Sequence, residues 1–188
     1  MASKILSIVS SCAAFASLFG QFQARDFEEA ARRIVRRPPR SFPALPSHIT
    51  RELQRRGCTI PQEVFTKGAS NVIRGEFAKR GQTDWAVLCS MKGFSSILVF
   101  WNGSEKNPAA IATMEDRIFL QSINTTDIGF SRGISAVGKD YILSHHAAYG
   151  GTKPPPIDHQ GINDAFIEKA SVVWYFQNGK WLKLTGAD

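Results

Sequence analysis

The chain has 188 residues, with 23 Lys and Arg against 16 Asp and Glu, a formal net charge of +7 and a pI of about 9.6. Hydrophobic residues make up 43% and charged residues 21%, which excludes a disordered chain and fits one globular domain plus a leader. The positive balance allows attraction to anionic partners such as nucleic acid, envelope polymers or lipid head groups without naming one.

Lys4 is the only charge before Arg25, and residues 5–19 between them are apolar and small. A basic start followed by such a run reads as a signal peptide over residues 1–24, cleaved after Ala24 or Gly20, and is short for a membrane span. A retained N-terminal anchor is the other reading. Val9-Ser10-Ser11-Cys12 loosely imitates a lipoprotein site, but the apolar run before it is too short. With the leader gone, no membrane span is expected, and Cys58 and Cys89 are the cysteines left. An even count in an oxidising compartment predicts one disulfide, closing a loop of about 30 residues and stabilising by on the order of 3 kcal/mol. Two buried thiols are the alternative.

Residues 26–37 read as a basic helix: Asp26 is a cap, Glu28 and Glu29 lie in the first turn, and Arg32, Arg33, Arg36 and Arg37 follow. Pro38 and Pro39 stop it, and residues 37–47 read as an extended proline-rich linker, so residues 25–46 are expected to precede a domain spanning 47–188. Residues 47–56 predict a second helix with Ser47 as N-cap, Ile49 and Leu53 on one face and Gly57 after its end. Residues 71–101 then predict three strands. Val72, Arg74 and Glu76 alternate with Ile73, Gly75 and Phe77. Residues 85–89 are nearly all apolar, like a strand covered on both faces, and residues 94–101 form a third strand between Lys92-Gly93 and Asn102-Gly103. Further short strands fit residues 109–113, 117–121 and 134–137. Residues 140–149 read as a helix capped by Asp140, residues 153–157 as an extended loop with three prolines, and residues 158–170 as a short helix with Ile162, Phe166 and Ile167 inward. Residues 171–177 and 180–184 flank Asn178-Gly179 as a closing hairpin.

The spelling from Gly75 to Leu88, G-E-F-A-K-R-G-Q-T-D-W-A-V-L, resembles one blade of the FG-GAP or VCBS-like propeller repeat, in which an acidic loop between two strands binds calcium. Glu76 and Asp84 match its outer acidic positions, whereas Ala78 and Arg80 stand where that family has oxygen ligands. Calcium needs six to eight oxygens. A degenerate loop is therefore expected, holding no metal, with the Arg80 guanidinium or Lys79 standing where the cation would be and Arg80 pairing with Glu76 or Asp84.

His145, Asp158, His159 and Asp164 are the candidate catalytic or metal-ligating residues, provided that the proline loop folds back. No H-E-x-x-H, C-x-x-C or G-x-S-x-G pattern accompanies them. The structural alternative places His145 between Tyr141 and Tyr149 at i±4 and uses His159 to order the loop. Ser131-Arg132-Gly133 and Thr152-Lys153 are candidate anion-binding loops, though neither has the spacing of a phosphate loop. The aromatic residues fit packing in strands better than base stacking.

Residues 57–62, 81–90, 158–159, 169–173 and 179–181 together resemble an uncharacterised secreted bacterial protein group. The resemblance implies export to a secreted or periplasmic location and a common fold, and it holds Cys58 and Cys89 in one pattern. It carries no activity. The expected fold is α+β: an antiparallel sheet of about six to eight strands, a meander plus a C-terminal hairpin, with two or three helices. The expected function is an exported noncatalytic domain, without a cofactor, that binds an anionic envelope component or a protein partner. The alternative is a hydrolase or metal-dependent enzyme using the four residues above, and nucleic acid is disfavoured by export.

Overall fold

A computed structural model describes residues 24–187; apart from Ala24, the expected signal peptide lies outside the described residues. The class is α+β with antiparallel sheets. Among the described residues there are three α-helices, α1 (Ala24–Arg33), α2 (Ser47–Arg55) and α3 (Lys139–Tyr149), and twelve strands. The strands do not form one sheet. β3 (Val72–Gly75), β4 (Asp84–Met91), β5 (Phe94–Phe100) and β6 (Ala109–Glu115) make one four-stranded meander, and β9 (Arg132–Val137), β10 (Gly161–Phe166), β11 (Ala170–Gln177) and β12 (Lys180–Thr185) make a second. Two ladders of two strands complete the set: β1 (Arg36–Arg37) with β2 (Ile60–Pro61), and β7 (Leu120–Ser122) with β8 (Ile128–Phe130).

The meanders share one core. Ala86 and Leu88 of β4 and Ile97 and Val99 of β5 meet Ile134 of β9 and Ile162 of β10. The alternate residues of the first meander, Val87, Cys89, Leu98 and Phe100, pack outward against Ile49 and Leu53 of α2. β4 is therefore covered on both faces, as its unbroken apolar run requires. On the far face of the second meander, Val173, Tyr175 and Leu184 pack beneath Ile142 of α3.

Three segments depart from the sequence expectation; the smallest is residues 117–121, where Asp116–Phe119 is a 3-10 turn and the strand begins only at Leu120. The N-terminal helix ends at Arg33 rather than Arg37, and Arg36-Arg37 pairs instead with Ile60-Pro61. Arg37 precedes Pro38, a position disfavoured for helix. The proline-rich segment is likewise no extended tether: Pro39–Ser41 is a 3-10 turn, and Pro39, Phe42 and Leu45 are buried. Ala30 and Ile34 lie in the shared core, so residues 26–45 are packed against the domain that follows.

The third departure is residues 158–170, which contain no helix. Residues 161–166 form β10, paired on one side to β9 and on the other to β11. Ile162, Asp164 and Phe166 face inward and Asn163 and Ala165 outward, the period of a strand. Two flanking ladders outweigh the local helix preference of Asp-Ala-Phe-Ile-Glu-Lys. At Gly161 a Cβ would sit 2.6 Å from Val173 Cγ1, so only glycine fits where β11 approaches.

The remaining elements follow their local chemistry. α2 ends in two hydrogen bonds, Gly57 N to Gln54 O (2.9 Å) and Cys58 N to Leu53 O (3.0 Å), with Gly57 at φ +73°. This places Cys58 against β4, where it forms the disulfide to Cys89 across a Cα separation of 5.4 Å. α3 begins at Lys139 after Gly138, so Asp140 lies in its first turn rather than at its cap. No helix among the described residues is long and apolar enough to cross a membrane.

Candidate binding groove

The four residues singled out as a catalytic or metal constellation occupy separate settings. His145 lies on α3, its ring 4.0 Å from that of Tyr141 and 6.1 Å from that of Tyr149, with Nδ1 2.7 Å from the Tyr141 carbonyl oxygen. His159 stacks flat on Tyr175 at 4.3 Å, and the Tyr175 hydroxyl donates to Asp158 at 3.0 Å. Burial in the sheet, ahead of the other influences, pushes the Tyr175 hydroxyl up from its ordinary value and keeps it protonated.

Asp164 is elsewhere again. Its neighbour Asn163 faces α3 and accepts a hydrogen bond from Tyr141, so Asp164 points through the opposite face of the sheet. There it receives two 2.9 Å hydrogen bonds from Arg132. No hydrogen bond, ion pair or ring contact joins His145, the Asp158–His159 pair and Asp164 to one another among the described residues. Nor are any three His, Cys, Asp or Glu side chains among them placed to hold a metal ion.

Arg132 is fully buried and is no anion-binding residue. Besides Asp164, it donates to the backbone and hydroxyl oxygens of Ser95 and to the Ala112 carbonyl, and its guanidinium lies 4.7 Å from the Phe119 ring centroid. The guanidinium donors are thus satisfied across both meanders. Ala112 has φ +53° beside a register shift in the β5–β6 ladder, a backbone state costly for alanine. The shift carries the Ala112 carbonyl to Arg132. The other basic residues divide in the same way: Arg36 is bonded to buried Asp116 at 2.7 Å, whereas Arg32 and Arg40 are exposed.

The loop after β3 is also structural. Asp84 is fully buried, and its Oδ2 accepts from the backbone N–H of Phe77 and Ala78 while its Oδ1 accepts from Gln82 Nε2 and Asn102 N, all at 2.7–2.9 Å. Amide groups take the place expected for a guanidinium. Arg80 is exposed and forms no ion pair among the described residues, which corrects the expected Arg80 pairing; the reason is that neutral donors already fill the Asp84 carboxylate. Glu76 contributes its backbone instead, exchanging hydrogen bonds with Gln160 and so tying this loop to the entry of β10.

Part of the outer face of the second meander remains open. α3 has only 11 residues and covers one half of that face. The other half is floored by Gly133, Ser135, Asn163, Ala165 and Ser171, where two cavities of about 350 and 380 Å³ adjoin by sharing Asn163, Ala165 and Ile167. Tyr141 and the 168–170 turn bound one end, and residues 63–73 wall the other. That wall is held closed by its own polar residues. Gln62 bonds both backbone groups of Ser70, Glu63 caps the N–H groups of Phe65 and Thr66, and Asn71, at φ +69°, binds Pro61, Arg132 and Ile134. Asn163 is nine-tenths buried and its Oδ1 accepts from the Tyr141 hydroxyl at 3.3 Å, while the buried Ser70 Oγ in the wall has no partner among the described residues.

Reading the sequence alone misses this groove, because its floor is made of small residues on a segment that reads as helix. The period-2 alternation of Ile162, Asp164 and Phe166 is the signal that marks the strand. Comparison with protein-family models, curated proteins and solved structures finds no match.

Proposed function

We propose that this chain is an exported, noncatalytic domain that binds an envelope component or a protein partner through the outer groove of its second meander. The observation that carries this reading is the pre-formed groove itself: two adjoining cavities share Asn163 and Ala165 on a floor of small and polar residues, with walls fixed by the protein's own hydrogen bonds. A site whose walls are already fixed binds without a large ordering cost. Export is supported by the apolar N-terminal run, and the Cys58–Cys89 disulfide fits an oxidising compartment. The hydrolase reading draws no support from the geometry, since His145, Asp158 and Asp164 are engaged in three different places.

The test is co-sedimentation of the purified protein with a total envelope fraction, comparing the wild type with Ser135→Trp. Ser135 is exposed on the groove floor, so the indole blocks the cavity without entering the core. Retention of the wild type and release of the variant are expected. Equal retention of both would remove the groove from the function.

A further inference from the structure

We infer that the occupant of this groove is an uncharged glycan chain, bound through hydrogen bonds to its hydroxyl and carbonyl oxygens. The inference rests on the groove being the functional face and adds the ligand class.

Charge is the first argument. The protein carries +7, yet among the residues lining the two cavities Lys169 is the lone cation, against the carboxylates Glu63 and Glu168. An anionic polymer attracted by the overall field has no complementary group on this floor. The second argument is what the floor lacks. Protein interfaces are anchored by large aromatic or aliphatic side chains that fill pockets. Here the floor offers Gly133, Ser135, Ala165 and Ser171, and the large aliphatic and phenyl side chains among the lining residues, Val72, Ile73, Ile134, Phe166 and Ile167, are buried or half-buried. The third is the donor set. The Asn163 carboxamide is oriented by the Tyr141 hydroxyl, which donates to its Oδ1 and leaves the Nδ2 side as N–H donors, and the Ser135 and Ser171 hydroxyls donate or accept. Tyr141 adds a ring with a polar tip at the end of the groove. Neutral donors, hydroxyls and one amphipathic ring, set in a channel long enough for two adjoining cavities, match a chain of neutral sugars better than an ionic or apolar ligand.

The experiment titrates the intact protein with a hexasaccharide of N-acetylglucosamine, a neutral probe, by calorimetry at low and high salt, with heparin as the anionic comparison. Binding of the hexasaccharide that does not change with salt is expected. Asn163→Asp, which keeps the shape but exchanges the donor for an acceptor, should weaken it about tenfold, the loss of one good hydrogen bond. Ser135→Trp should abolish it, which guards against an unstable Asn163 variant. Heparin bound more tightly than the hexasaccharide, or hexasaccharide binding untouched by Ser135→Trp, would overturn the glycan assignment. No hexasaccharide binding, with envelope retention still lost in Ser135→Trp, would overturn it too while leaving the groove as the binding face.

Discussion

Arg132 and Asp164 face each other across adjacent strands of the second meander with two parallel 2.9 Å hydrogen bonds, and neither side chain is more than 5% exposed. Because Arg132 also reaches Ser95 and Ala112 on the first meander, this pair joins the two sheets inside their common core. Removing one partner leaves the other charge buried and alone. Asp164→Asn is expected to destabilise the fold by about 3–5 kcal/mol, and the double change Arg132→Met with Asp164→Leu to recover much of that loss. Urea unfolding of the three proteins checks this. A single variant as stable as the wild type would contradict the role of the pair.

The Cys58–Cys89 bridge ties the end of α2 to β4, across a sequence separation of 31. Opening it enlarges the unfolded ensemble, so Cys58→Ser with Cys89→Ser should lower stability by on the order of 3 kcal/mol. The melting temperature of the wild type should fall on adding reductant to approach that of the double variant.

Asp84 organises the loop from Glu76 to Thr83 through four hydrogen bonds and needs no cation to do so. Asp84→Asn substitutes a donor for an acceptor inside that cluster and should cost about 2–3 kcal/mol. Calcium and a chelator should both leave the melting temperature of the wild type unchanged. A calcium-dependent rise that disappears in Asp84→Asn would show that the loop holds an ion after all.

Glu52 of α2 is bonded by Arg55 and Arg56, and these hydrogen bonds draw its carboxyl down from 4.5 to about 2. The folded-state value lies below the unfolded one, so this contribution is complete above pH about 4.5 and is lost as pH falls through about 2. Thermal melts between these limits should show the wild type losing stability more steeply than Glu52→Gln.

Much of the fold is legible in the residues. Asn178-Gly179 and Lys92-Gly93 mark their hairpins, with φ values of +50° and +77° and of +52° and +82° respectively, and the unbroken apolar run of β4 announces a strand covered on both faces. Tyr141 and Tyr149, at i±4 from His145, identify a packed histidine by helical spacing alone. What is hidden is long-range. Nothing near Asp164 in the chain signals Arg132, 32 residues earlier, because the pair exists only once β9 and β10 align. The same is true of the groove. Its floor appears only when Asn163 is placed beside Ser135 by that register, and its wall only when Gln62 closes on Ser70. The proline-rich segment misleads for a related reason: Pro39, Phe42 and Leu45 are spaced for no regular element, yet all three are buried, Phe42 and Leu45 in the cluster that α2 forms with the first meander.

The most direct test of where function lies is amide chemical-shift mapping of the protein titrated with solubilised envelope fragments. The groove account predicts that the shifts concentrate on residues 133–135, 163–165 and 169–171. Shifts centred on His145, Asp158 and His159, with the groove unmoved, would contradict it.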